Sequence, residues 1–103
     1  PNIDIHKETT TGASPLYIAS QKGMVALVKV LLEAGGNVNQ STKQGSTPLS
    51  TSCQFGHLEV VRLLLQQPNI DVNKGAEGWS PLALAKDDNF HEIVQLLTDA
   101  GAQ

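Results

Sequence analysis

Gly45-Ser-Thr-Pro-Leu-Ser-Thr-Ser-Cys-Gln-Phe-Gly56-His-Leu-Glu-Val-Val-Arg-Leu-Leu-Leu65 decides the fold. Thr47 carries a hydroxyl suited to capping a helix, and Pro48 fits the first helical position, where a missing N–H costs nothing and φ is already fixed. A helix is therefore expected from Pro48 to about Gln54 or Phe55. Gly56 supplies a left-handed residue to end it, and His57 to Leu65 reads as a second, strongly apolar helix. A helix–turn–helix unit of this size cannot bury its own apolar face and needs neighbours.

The neighbours are written in the same sequence. Pro15, Pro48 and Pro81 fall 33 residues apart, as do Gly12, Gly45 and Gly78, and Leu16, Leu49 and Leu82. Val28, Val61, Val94 and Leu31, Leu64, Leu97 continue the period through the second helix. Gly23 and Gly56 are answered by Asn89, another residue that tolerates positive φ.

With these series in place, the chain resembles the ankyrin repeat family, with its period of 33 and its Thr-Pro-Leu, Gly-His-Leu-Glu and Gly-Ala-Asp-Val-Asn elements. The elements stand here as Ser14-Pro15-Leu16-Tyr17, Thr47-Pro48-Leu49-Ser50 and Ser80-Pro81-Leu82-Ala83, then Gly56-His57-Leu58-Glu59, then Gly35-Gly36-Asn37-Val38-Asn39 and Asn69-Ile70-Asp71-Val72-Asn73. The resemblance implies an all-α solenoid of helix–turn–helix repeats joined by hairpin loops. All three copies replace the family's His after Pro-Leu, with Tyr17, Ser50 and Ala83. The hydrogen bonds that His makes within and between repeats are therefore in doubt, and lower stability than a consensus array is expected.

Repeats are expected at 12–44, 45–77 and 78–103. The first would have helices from Pro15 to Lys22 and from about Met24 to Glu33, with residues 38–45 as a projecting finger. Residues 1–11 read as the tail of a preceding repeat, because Pro1-Asn-Ile-Asp-Ile-His-Lys7 echoes Pro68-Asn-Ile-Asp-Val-Asn-Lys74. With no Met or signal-like run ahead of it, the chain reads as a piece of a longer protein whose first helix pair is uncovered on one side. Pro68 is expected to end the second helix of the middle repeat.

Composition narrows the function. The 103 residues are 40% apolar, enough for one modest domain with a shared core, and no run is long enough to span a membrane. A single cysteine, Cys53, has no disulfide partner and suits an intracellular, cytoplasmic setting. Residues 1–76 carry six basic and five acidic side chains, whereas residues 77–103 carry Lys86 against Glu77, Asp87, Asp88, Glu92 and Asp99. Such a chain lacks the basic stripe that nucleic acid requires. Its acidic end favours a basic peptide or protein surface, or is simply a solvated cap.

No catalytic, metal or cofactor motif emerges, so an enzyme is not expected. Cys53 and His57 are four apart, but Gly56 breaks the helix between them and no third group orients the His, so Cys53 reads as a semi-buried packing residue. His6, His57 and His91 do not share a register, and neither metal-ligand spacings nor a phosphate loop occur.

What remains is surface. The resemblance implies partner contacts on a concave face made by the fingers and the outer side of each first helix. The matching positions are Thr10, Thr11, Ala13, Gln21 and Lys22; Lys43, Gln44, Ser46, Gln54 and Phe55; and Glu77, Trp79, Asp87 and Asp88. Phe55 and Trp79 stand out, because aromatics are favoured interface anchors; Trp79 packing over its own hairpin is the plain alternative. Tyr17 is expected to bond between repeats. Asn73, within Leu65-x5-Asp71-Val72-Asn73, also resembles the acceptor of an asparaginyl hydroxylase. The expectation is a non-catalytic protein-interaction module, monomeric and without cofactor. A regulatory or targeting segment of a larger enzyme and a structural spacer are the alternatives.

Overall fold

A computed structural model describes residues 7–103. Residues 1–6 of the echo, and with them most of the expected tail of a preceding repeat, lie outside the described residues. Six helices follow in order: α1 (Pro15–Gln21), α2 (Val25–Glu33), α3 (Pro48–Gln54), α4 (Leu58–Leu65), α5 (Pro81–Asp87) and α6 (His91–Asp99). No strand occurs among the described residues.

The helices start where the chemistry dictates. Ser14, Thr47 and Ser80 each accept a hydrogen bond from the backbone N–H three residues on, at 3.1 Å in every case, and proline follows each cap. At α3 the arrangement is reciprocal, because Ser50 Oγ also accepts from Thr47 N at 2.8 Å. The first helices end at Gly23, Gly56 and Asn89, with φ of +71°, +74° and +58°. Lys22, Met24 and His57 flank helices instead of joining them, since Met24 and His57 hold ψ near 80° as N-caps and Lys22 is the C-cap of α1.

The helix pairs stack in line, α1 on α3 on α5, with α2, α4 and α6 forming a second layer behind. The stack measures 41 × 24 × 22 Å. Leu16, Leu49 and Leu82 are buried in successive pairs, as are Leu31, Leu64 and Leu97; Val28 and Val61 are buried and Val94 half-buried. Small side chains at Ala19, Ser52 and Ala85, all buried, let the layers approach closely.

Neighbouring pairs are locked at the turns. The His57 ring lies on Gly23, so that a Cβ built there would sit 2.5 Å from Nδ1, and His57 Nε2 is 2.9 Å from the carbonyl oxygen of Gln21. One period on, the Phe90 ring lies on Gly56, with ring atoms 2.8 Å from a Cβ at that site. The loops are joined in the same sense. Asn39 donates from Nδ2 to Asn69 O at 2.6 Å and accepts from Asp71 N at 2.8 Å, and Lys43 N donates to Thr11 O at 3.0 Å.

Two of the three departures from the family's His still make bonds. Tyr17 Oη donates to Ser46 Oγ across to the next pair at 3.1 Å, and Ser50 completes the α3 cap. Cys53 is wholly buried, not semi-buried as the sequence suggested, because α3 is covered by helix pairs on both sides.

The register also shows which face of the first pair is uncovered among the described residues. Leu27, 40% exposed, is the counterpart of Val60 and Ile93, which are 0% and 2% exposed between pairs. Met24, the counterpart of His57 and Phe90, is exposed as well. Val60→Ala should therefore cost about 2 kcal/mol in chemical denaturation, against less than about 0.5 kcal/mol for Leu27→Ala. Ser20 Oγ and Thr51 Oγ1 are buried hydroxyls without a hydrogen-bond partner among the described residues. Removing such groups relieves a desolvation penalty, so Ser20→Ala and Thr51→Val should each raise unfolding free energy by about 1 kcal/mol in the same measurement.

Candidate functional site

The first helices and the loops that lead into them surround a cleft of about 320 Å³. Its lining combines Tyr17 from α1; Ser50 and Gln54 from α3; Leu84 and Asp87 from α5, with Asp88 at that helix's C-cap; and Gln44, Ser46, Ala76 and Trp79 from the two loops. The fold explains this convergence. Each first helix begins at a proline directly after its loop, so stacking α1, α3 and α5 side by side sets the loop ends and helix C-termini along one face.

Hydroxyl groups line part of the cleft and engage one another. Tyr17 Oη donates to Ser46 Oγ, and Ser46 Oγ lies 3.1 Å from Ser50 Oγ. Trp79 comes from a tight turn in which its N–H donates to Ala76 O at 2.8 Å and the two residues form an isolated antiparallel bridge. Gly75 directly precedes this turn, and a Cβ there would meet the Trp79 carbonyl oxygen. The turn sends the indole outward, 46% exposed. Phe55 is 49% exposed as the C-cap residue of α3 and is not part of the cleft lining.

A family model described as ankyrin repeats (3 copies) matches residues 1–76. The chain belongs to the ankyrin repeat family. A comparison with curated proteins finds no match. Ankyrin repeats are in general protein–protein interaction modules and are typically non-catalytic.

Within this ankyrin array, six of the residues singled out in the sequence meet at the cleft: Gln44, Ser46, Gln54, Trp79, Asp87 and Asp88. Gln21, Lys22, Lys43, Phe55 and Glu77 lie outside its lining. Gln21 is half-buried, with its carbonyl oxygen bound to His57, whereas Lys22, Lys43 and Glu77 are exposed. Sequence reasoning missed Ser50, Ala76 and Leu84 as cleft residues, and assigned Tyr17 only its bond between repeats. No signal set Leu84 apart, since its register holds Ile18 in the first repeat and Thr51 in the middle one. Thr10 and Thr11 are exposed and Ala13 is buried, all three outside the cleft lining. Asn73 is exposed, and its Oδ1 accepts from Gln103 N at 2.8 Å, much as Asn39 ties its loop to the next.

No group of three His, Cys, Asp or Glu side chains is placed to hold a metal among the described residues. No helix there is long and apolar enough to cross a membrane. Cys53 and His57 are not arranged as nucleophile and base, since the thiol is buried and His57 Nε2 is directed to Gln21 O.

Burial pushes the Cys53 thiol from 9.0 up to about 12. A thiol whose folded value is raised favours folding fully below the unfolded value. That contribution is lost as pH rises from about 9 to about 12, where the unfolded chain releases its proton first. Melting temperature should accordingly fall more steeply with pH over that range in the wild type than in Cys53→Ala. Equal slopes in thermal melts followed by circular dichroism would show that the thiol contributes nothing.

Proposed function

We propose that this chain recognises a protein or peptide partner on the concave face formed by its loops and first helices, and that it has no catalytic activity of its own. The observation that carries this reading is the cleft lined by Trp79, with Phe55 outside the lining at the C-cap of α3, both aromatics about half exposed. Aromatic side chains bury large area at little cost in side-chain entropy, and exposing two of them serves no purpose in the stack itself.

Gln21, Lys22, Lys43 and Glu77 would form a polar surround, with Gln44, Ser46, Gln54, Asp87 and Asp88 nearer the centre. The array would act as a rigid surface, because caps, stacked turns and paired loops hold its backbone before a partner arrives. Little ordering entropy is then lost on binding. The functional units would be the repeats at 12–44, 45–77 and 78–103, working as a monomer in an intracellular, reducing setting that suits a free cysteine.

Affinity capture with the wild type and with a Phe55→Ser, Trp79→Ser double variant tests the proposal, once circular dichroism shows that both fold. The expected result is at least one protein held by the wild type and lost by the variant. Identical captures would move the site off this face. Empty captures from both would favour a spacer.

A further inference from the structure

Resting on the concave-face reading, we infer that the cleft receives an arginine side chain of a protein partner, its guanidinium stacked on Trp79 and paired with Asp87 and Asp88. The cleft, at about 320 Å³, is at the small end of the range for ligand pockets and suits one long side chain better than a folded loop. Its hydroxyls are engaged with one another, so the charged groups left to a partner are the two carboxylates.

Among the described residues no cationic side chain lines the cleft and neither aspartate has an ion-pair partner; the ion pair present there joins Arg62 and Glu59 on α4. The fold does not require acids at these positions. Asp87 corresponds to Gln21 and Gln54, and Asp88 to Lys22 and Phe55. Their placement even works against the helix, because Asp87 ends α5 and Asp88 is its C-cap, where the macrodipole is negative. Two carboxylates at an unfavourable helix end, beside a half-exposed indole and an open cleft, are explained by a cation that arrives from outside.

The combination selects arginine over lysine. A planar guanidinium can stack on an aromatic face while its forked N–H groups bond carboxylates, whereas an ammonium acts as a point charge with a tighter water shell. The anchored turn at Ala76–Trp79 holds the indole ready.

Trp79 is the sole tryptophan, so its fluorescence reports on the cleft without a label. Titration with a triarginine amide should give a saturable change that weakens as salt is raised. The tricitrulline counterpart, equal in shape but uncharged, should bind at least tenfold more weakly. An Asp87→Asn, Asp88→Asn variant should lose at least tenfold in triarginine affinity while folding as the wild type does, because the changes relieve charge at the end of α5. A Glu92→Gln, Asp99→Asn variant should stay within twofold of the wild type, which separates cleft binding from general attraction to an acidic surface. Absence of saturation, equal binding of the two peptides, or equal loss in the two acid variants would overturn the assignment. In affinity capture, loss of the wild-type partner from Asp87→Asn, Asp88→Asn supports it. Undiminished capture by that variant overturns the arginine assignment alone, whereas undiminished capture by Phe55→Ser, Trp79→Ser overturns the concave-face reading beneath it.

Discussion

The contact on which the whole stack depends is a ring lying on a bare backbone turn. At Gly23 and again at Gly56 the chain reverses with positive φ, and the ring of His57 or Phe90 from the next pair occupies the space a side chain would fill. Glycine meets both demands there, the left-handed backbone and the close approach. The contact sets how near successive pairs come and how far one is turned against the next. Burial of Val60 and Ile93 between pairs follows from it, and so does the alignment of α1, α3 and α5.

Alignment of the first helices is what converts a repetitive chain into a surface with a particular chemistry. The core-facing sides carry the same leucines and valines in each pair and differ little. The side that carries the C-terminal ends of the first helices is free of that requirement and varies: Gln21, Gln54 and Asp87 share one register, and Lys22, Phe55 and Asp88 the next. The first pair presents an amide and a cation, the second an amide and an aromatic, the third two acids. One backbone geometry thus displays a gradient of charge and apolar character along its length, with Trp79 set between the second and third pairs.

Much of the architecture was legible in the sequence because the features that define it are local. Ser14, Thr47 and Ser80 cap helices through bonds spanning three residues, and the turns at Gly23, Gly56 and Asn89 depend on one residue's φ. The buried faces repeat at a fixed spacing, so the core followed as well. The cleft was only partly legible, since it depends on what the stack brings together. Tyr17 reaches Ser46 across 29 positions, and Leu84 and Ser50 join the lining from different pairs. Neither periodicity nor composition gives the distance between pairs, which is also why Cys53 was expected to be less buried than it is. The exposure of Trp79 turns on the tight bend at Ala76, a feature particular to one loop. The match to the ankyrin family fixes the kind of module and is silent on the cleft, which belongs to this chain's own side chains.

The rings seated on glycines also restrict the order in which such a sequence can change over time. Residue 56 cannot gain a side chain while residue 90 is aromatic, and the same holds for residues 23 and 57. A smaller residue must first appear on the later partner, and that step empties the seat and loosens the joint. Each joint is therefore a pair of positions in neighbouring repeats that must drift together, in a fixed sequence and through a weakened intermediate. The exposed positions at the C-terminal ends of the first helices carry no such obligation. An array built this way can exchange one exposed surface for another by single steps while its joints stay as they are.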